Sequence, residues 1–257
     1  MDSMQTDDTQ PSLLHRAASF LLALGLIAGV FTFAFSSINY HWNWRGVGVY
    51  RILLVRGWLT TLLLSAISLV ASLLIGVIIA LLRRTPFLPL RYLARIYVEV
   101  IRGTPLLVQL IIFFYVVGTA FDIENRYVVG VTVLSVFSGA YISEIIRSGI
   151  ESIGGSQLDS ARAIGLTIPQ TYRYVIFPQV IRQILPPLAG QFASLIKDSS
   201  LLSTLSISEF TFNIQNVNSY TSSPFEVFIP LAIGYLIITL PISLWTQSLE
   251  QQNRFET

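Results

Sequence analysis

Cysteine is absent from the 257-residue chain, and lysine occurs once, at Lys197. Without cysteine the chain cannot form a disulfide framework, a cysteine zinc site or a thiol nucleophile. Since Ile196 precedes Lys197, no G-x-x-x-x-G-K-[ST] loop exists, and ATP hydrolysis by that route is excluded. The two histidines, His15 and His41, lack any metal-ligand spacing, and no G-x-S-x-G motif occurs. We therefore expect no metal site, no catalytic site and no cofactor in this chain.

Charge is also scarce: charged residues make up 12% of the sequence, against roughly 25% in a soluble domain. Hydrophobic residues make up 53%. The basic residues are almost all arginine and are scattered between apolar runs, which argues against a nucleic-acid partner. This composition predicts a multi-pass, all-α membrane protein in contact with lipid.

Six apolar stretches are each near or above the roughly 20 residues that cross a bilayer as a helix. They cover residues 17–40, 57–82, 103–121, 127–143, 183–208 and 227–249, the fifth being interrupted by Lys197 and Asp198. We predict six transmembrane helices, with the small residues of the second stretch serving helix packing. Residues 1–12 are polar and are expected to be disordered. Because no positive n-region or cleavage site accompanies the first stretch, we expect it to stay attached.

The arginines indicate the orientation. Four arginines follow the second stretch: Arg83, Arg84, Arg91 and Arg95. The loop after the third stretch is, by contrast, short and mostly acidic. The positive-inside rule then places both termini and residues 148–186 in the cytoplasm. Arg45, Arg51 and Arg56 would fall outside, but tryptophans and tyrosines surround them, so we predict an interfacial segment there.

The cytoplasmic passage has a regular pattern of its own. Leu158, Ala161 and Ile164 recur at a spacing of three, which predicts a short helix that ends at Gly165. A second helix is expected to begin near Pro169 and to stop or kink before Pro178. Periodicity alone fits either an ordinary amphipathic surface loop or a docking element for a soluble partner.

The same passage resembles a known signature. Asp159-Ser160-Ala161, three residues, Gly165, nine residues and VIFP, which ends at Pro178, resemble the acid-Ala-Ala-x3-Gly-x9-Ile-x-Leu-Pro signature of ATP-binding-cassette importer permeases. The spacing is kept, with Asp for Glu, Ser for Ala, and Val and Phe for Ile and Leu. The stretches YVEVIRGTPLLVQL and LIKDSSLLSTLSISEF resemble the polar amino acid branch of this family.

The resemblance implies a type I importer permease with a MetI-like core of five helices. That core corresponds to residues 57–250, and residues 13–56 then hold an added N-terminal helix and the interfacial segment. Residues 148–186 become the coupling loop that docks on a cytosolic ATPase. Asp159 would cap or pair with a cation at that interface, Ala161 would allow close approach, and Gly165 would make the turn. Ser160 and Pro178 complete the signature.

The resemblance also implies partners and a location. The implied assembly has two cytosolic ATPase subunits that bind ATP and Mg, and a second permease subunit, identical or related. An extracytoplasmic binding protein would deliver an amino acid, and ATP-driven closure at the coupling loops would drive alternating access. The implied location is the bacterial cytoplasmic (inner) membrane.

Polar groups at mid-membrane depth are the candidates for the substrate pathway, because they are costly in lipid. If the fifth helix starts near Pro187, Lys197 lies roughly 15 Å along it, near the bilayer centre. Lys197, Asp198, Ser199 and Ser200 then face the carboxylate and ammonium groups of an amino acid, or Lys197 and Asp198 pair with other helices. Gln109, beside the helix-loosening Pro105, is a weaker candidate that fits interhelical bonding as well.

Two acid-base pairs lie three residues apart, each on one helix face: Glu99 with Arg102, and Glu144 with Arg147. We expect structural ion pairs, with an inner gate as the alternative. Two other classes of function stay open, an ATP-independent channel and a secondary transporter for small polar solutes. Neither gives the cytoplasmic passage a task, and the two halves of the sequence lack the matching interrupted helices typical of secondary transporters.

Overall fold

The computed structural model describes residues 13–38 and 40–254, and every regular element in these ranges is helical. The chain divides into two compact units, with the boundary between Trp42 and Asn43. The first unit contains helix α1, Leu13–Ser36, whose described side chains are all exposed. The predicted first membrane helix is therefore present but ends at Ser36 instead of residue 40. The predicted disorder of residues 1–12 lies outside the described residues.

The second unit begins with α2 (Trp44–Gly48), α3 (Arg51–Leu82) and α4 (Leu88–Gly103). Next come α5 (Leu106–Ile112), extended by a π-helical turn (Phe113–Gly118), and α6 (Arg126–Glu151). They are followed by α7 (Gly155–Ala163), α8 (Ile168–Thr171), a second π-helical turn (Tyr172–Ile176) and α9 (Phe177–Asp198). A 3₁₀-helix (Ser199–Leu205), α10 (Phe210–Thr221) and α11 (Pro224–Arg254) complete the unit.

Four of the described helices are long and apolar enough to span a membrane: α1, α3, α6 and α11. The pair of α4 and α5 with its π-helical turn passes the same test as one broken span, bent by 109°. The more polar α9 corresponds to the fifth predicted span. The structure thus agrees with an all-α membrane protein, although α3 begins at Arg51 and takes in part of the predicted interfacial segment.

The prediction of a loop between the second and third spans is wrong, because most of it forms α4. Ala94 and Val98 on one face of α4 are buried, with exposures of 2% and 1%. The break falls where the sequence reads Thr104-Pro105: Thr104 is extended, with φ −121° and ψ 144°, and α5 starts directly after the proline. A residue before proline is pushed out of the helical region, so this dipeptide produces the bend.

Small residues bring α3 and α6 together. The buried side of α3 carries Ser65, Ser68, Ser72, Gly76 and Ala80. A Cβ added at Gly76 would lie 2.5 Å from Ile142 Cγ2, and one added at Gly139 would lie 2.7 Å from Ile75 Cγ2. Each glycine therefore receives the isoleucine of the other helix. The packing role predicted for the small residues of the second span is confirmed.

We expect Gly76→Ala to lower the free energy of unfolding by about 1–3 kcal/mol, because the β-branched Ile142 has little room to move away. The control is Gly190→Ala in α9, where an added Cβ meets nothing within 4 Å. That substitution should be neutral or stabilising, since alanine favours helix. Thermal unfolding of the purified chain in detergent measures both. Equal midpoint shifts for the two variants would contradict the close approach of α3 and α6.

Candidate functional site

The predicted cytoplasmic helix is α7, and it ends at Gly165 as expected. The Gly165 N–H donates to Arg162 O at 3.0 Å, and the Leu166 N–H donates to Ala161 O at 3.1 Å. These two bonds form a Schellman closure, which requires a left-handed residue after the helix. Gly165 supplies it with φ +79°.

The apolar face of α7 differs from the prediction. Ala161 is 2% exposed, so its small side chain allows close packing within the chain, where α7 contacts α8 and the second π-helical turn. Ile164, predicted on one apolar face with Leu158 and Ala161, is 75% exposed, and Ile168 is 76% exposed. The closure at Gly165 turns the chain away just after Ile164, which explains the difference. Two large apolar side chains thus face outward from a polar segment.

Asp159 and Ser160 lie on the exposed side of α7. One carboxylate oxygen of Asp159 lies 3.5 Å from Arg162 Nη1, and both side chains are more than 70% exposed. An ion pair this exposed adds little stability. The cation beside Asp159 therefore comes from its own helix, and both groups are accessible to a partner.

The predicted stop before Pro178 is absent, whereas the alternative, a kink, corresponds to the second π-helical turn. α8, this turn and α9 follow one another without a break, and Pro178 lies in the first turn of α9. Proline has no N–H to donate to the preceding turn, and a wider π-helical turn accommodates that missing bond. The helix begins as predicted near Pro169, where the Thr167 N–H donates to Gln170 Oε1 at 2.9 Å.

Glu144 forms the centre of an ion cluster that joins three helices. Its Oε2 lies 2.6 Å from Nη1 of Arg83, the residue that follows α3, and 3.7 Å from Arg102 Nη1 of α4. Its Oε1 accepts from Arg147 Nε at 3.1 Å, and Arg147 also pairs with Glu151. The predicted Glu144–Arg147 pair is therefore present, within a larger network.

The predicted pair between Glu99 and Arg102 is not formed among the described residues. Glu99 is exposed, while the Arg102 guanidinium lies 5.2 Å from the ring centroid of Tyr141 and turns toward Glu144. A cation over an aromatic ring beside a carboxylate is a better site than an isolated surface pair. The sequence does not predict the bond between Arg83 and Glu144, because no local spacing connects residues that are 61 positions apart.

A cavity of about 490 Å³ opens beside this cluster, between α4, α6 and α9. Its lining carries charges of both signs together with amide and hydroxyl groups, and includes Arg102, Tyr141, Glu144, Arg147, Ser152 and Gln183. Ser152 donates to Gln183 Oε1, which connects α9 to the residue after α6. One cavity is therefore lined by cationic, anionic and hydrogen-bonding groups, the kinds of group that bind a zwitterionic solute.

The position of Lys197 along the bundle can be estimated from its neighbouring helices. α9 begins at Phe177, ten residues before the start assumed from the sequence, with Pro186 and Pro187 inside it. The following 3₁₀-helix runs antiparallel to the start of α6, because Leu202 lies against Gly130 and Arg126 Nη1 donates to Ser206 O at 3.2 Å. Lys197 then lies roughly 15 Å from the Arg126 end of α6. Its position near the bilayer centre stays a prediction.

Two of the predicted pathway residues are engaged within the chain. Ser199 is fully buried and donates to Ile196 O at 2.7 Å, so its hydroxyl does not face an open pathway. Gln109 Nε2 donates to Ile101 O at 2.7 Å and to Thr104 Oγ1 at 2.8 Å. Gln109 thus bonds to polar groups of α4 and of the break before Pro105, which agrees with the alternative that it serves interhelical bonding. Lys197 is exposed, and Asp198 and Ser200 are half-buried.

Glu209 is a functional candidate that the sequence did not indicate. It is fully buried and accepts from the Phe212 N–H at 2.7 Å, the Thr211 N–H at 2.9 Å and Thr61 Oγ1 at 3.2 Å. Tyr235 OH lies 3.3 Å away. The carboxylate caps α10 and connects it to α3 and α11.

In residues 13–38 and 40–254 no group of His, Asp and Glu could hold a metal ion.

Residues 72–255 match the family model described as binding-protein-dependent transport system inner membrane component. A probable glutamine ABC transporter permease protein, GlnM of Bacillus subtilis, is 36% identical over 196 residues, which are 76% of this chain and 91% of that protein. The glutamine transport system permease protein GlnP of Escherichia coli is 33% identical, over 82% and 97% of the two chains.

The solved structures include an amino acid ABC transporter with histidines that has 34% sequence identity and a TM-score of 0.77. The alignment covers 83% of this chain and all of that one. The MetNI methionine ABC transporter, at 17% identity and a TM-score of 0.62, shares the fold.

We expect Glu144→Gln to lower the free energy of unfolding by about 1–3 kcal/mol, because three arginines lose their common counter-charge. Glu99→Gln is the control, since it removes the same charge at an exposed site without an ion pair in the described residues. Thermal unfolding of the purified chain measures both. A Glu144 variant as stable as the Glu99 variant would contradict the bracing role of the cluster.

Gly165→Ala should destabilise the Schellman closure by about 1–2 kcal/mol, the cost of a left-handed conformation for a residue with a Cβ. Space is not the cause, because an added Cβ at Gly165 meets nothing within 4 Å. An added Cβ at Gly155 also meets nothing within 4 Å, but φ is not positive there. Gly155→Ala should therefore have little effect on the closure. Hydrogen exchange of the amides of α7 tests this, and equal protection in the two variants would refute it.

Proposed function

The chain belongs to the family of binding-protein-dependent transport system inner membrane components, and on this premise we propose that it is the permease subunit of an ATP-binding-cassette importer of polar amino acids. The observation that carries the proposal is α7, a short polar helix with a glycine closure, after which Ile164 and Ile168 are both exposed. Exposed apolar side chains rimmed by polar residues mark contact sites for a partner.

We propose that this partner is a cytosolic ATPase, two copies of which bind ATP and Mg and supply the energy. The permease has no phosphate-binding loop of its own. Asp159 and Arg162 offer charges of both signs next to Ile164, and such a surface sets the register of docking. In this orientation α7 and both termini are cytoplasmic. The arginines that follow α3 favour the same orientation, because cytoplasmic loops carry an excess of basic residues.

In this proposal a second permease subunit, identical or related, completes the membrane part, and an extracytoplasmic binding protein delivers the solute. α7 packs on α8, which continues through the π-helical turn into α9. Movement of α7 is transmitted to α9 because packed helices shift as units. Closure of the ATPase therefore moves one wall of the cavity beside Glu144.

For the solute itself, we propose a neutral, polar amino acid of the glutamine type. The relatives include permeases named for glutamine, for nopaline in Agrobacterium fabrum and for cystine in Bacillus subtilis. Lys197, Asp198 and Ser200 form the mid-membrane part of the pathway, and the cavity beside Glu144 forms its cytoplasmic end. Guanidinium groups there match an α-carboxylate and Glu144 matches an α-ammonium. A channel or secondary transporter leaves the ATPase-docking surface without a role.

Ile164→Asp should lower both binding-protein-stimulated ATP hydrolysis and amino acid uptake about tenfold in proteoliposomes that contain the complete importer. An unpaired carboxylate buried in an interface costs about this much. Ile164→Val keeps an apolar side chain and should retain most of the activity. Because the native side chain is 75% exposed, neither change should alter the melting temperature of the permease alone. Undiminished uptake by the aspartate variant would refute docking through α7.

A further inference from the structure

An apolar groove of about 700 Å³ lies outside the site described above, where α3, α6 and the start of α9 meet. Its walls are formed by large apolar side chains, among them Val77, Leu81, Ile146, Ile150, Phe177 and Ile184. The second π-helical turn contributes Tyr172 and Ile176 to the same wall. The groove is open to the surroundings of the helices and is separate from the cavity at Glu144, with which it shares no lining residue.

The charge of this groove comes from one arginine just after α3 and one in the second π-helical turn. Arg84 and Arg173 are the charged residues among its described lining. Neither guanidinium lies within 4 Å of a carboxylate in the part of the chain that the structure describes. A smaller neighbouring cavity of about 360 Å³ shares Arg84 and adds Arg162. Arg84 therefore borders both cavities.

The apolar walls extend away from these arginines along the helices. Val77 and Leu81 lie on one face of α3, and Arg84 stands in the turn that follows it, where its N–H donates to Leu81 O. Val77 and Leu81 are roughly 6 Å apart along the helix at 1.5 Å per residue. On the other wall, Ile184 lies eleven residues beyond Arg173, a helical distance of roughly 16 Å. The occupant that fits has an anionic group at one end and a long apolar part.

We propose that this groove binds an anionic phospholipid, with its phosphate between Arg84 and Arg173 and an acyl chain along α3, α6 and α9. Guanidinium groups match phosphate oxygens in geometry and charge, and basic pockets between membrane helices bind anionic headgroups. The apolar walls explain why a lipid, and not a soluble anion, is the ligand. One headgroup then touches both the turn that follows α3 and the turn that joins α8 to α9.

The test is native mass spectrometry of the full chain in detergent, titrated separately with phosphatidylglycerol, phosphatidylcholine and inorganic phosphate. The native chain should retain phosphatidylglycerol at least tenfold more tightly than phosphatidylcholine. Arg84→Gln combined with Arg173→Gln should weaken phosphatidylglycerol binding about twentyfold, since each basic residue contributes about fivefold near an anionic headgroup. The charge-matched control, Arg56→Gln with Arg95→Gln, removes two exposed arginines outside the groove and should change binding less than threefold.

A second variant separates the lipid from a simple anion. Val77→Trp fills the groove and leaves both arginines in place, so it should weaken phosphatidylglycerol binding, and inorganic phosphate should not compete with the lipid. The proposal is overturned if the double arginine variant binds phosphatidylglycerol as the native chain does, or if inorganic phosphate displaces the lipid. Crosslinking of position 77 to a second permease copy in the assembled importer would also overturn it, because the groove would then be a subunit interface.

Discussion

The close approach of α3 and α6 is the constraint on which the rest of the structure depends. In lipid, helices associate through packing and polar contacts and not through the hydrophobic effect, so small residues decide which helices can touch. Gly76 and Gly139 each admit an isoleucine of the other helix. With the two axes held together there, the ends of α3 and α6 lie close enough for Arg83 to reach Glu144. The cavity beside Glu144 and the groove beside Ile150 are both lined by residues of α6, which its contact with α3 holds in place.

A second consequence of the apolar environment is that polar side chains are used inside the fold. Gln109 satisfies carbonyls at the break before Pro105, Ser199 donates to a carbonyl near the end of α9, and Glu209 caps α10 while it contacts α3 and α11. Buried polar groups without partners are expensive, so such bonds stabilise irregular backbone within membrane helices. Lys197, by contrast, is exposed, and the proposed function gives it a role in the solute pathway.

Much of this organisation could be predicted from the sequence, because apolar runs report membrane helices directly. The turn at Gly165 and the pair of Glu144 with Arg147 were also accessible, since both depend on residues close in sequence. Contacts between distant residues were not: nothing local connects Arg83 with Glu144, or Glu209 with Thr61. The sequence does not indicate α4, because its arginines are equally typical of a cytoplasmic loop. Periodicity alone also does not show that Ile164 is exposed, because the closure that ends α7 follows it directly.

The central claim is that the surface of α7 around Ile164 is where an ATPase subunit docks and transmits its closure to α9. Since the chain has no cysteine, Ile164→Cys places a single thiol at that surface without any background. The decisive measurement is disulfide crosslinking of this variant, in the assembled importer, to ATPase subunits that carry single surface cysteines, with and without ATP. Docking through α7 predicts a crosslink to one face of the ATPase, with a yield that changes with nucleotide. No crosslink from position 164, in an importer that still transports, would contradict it.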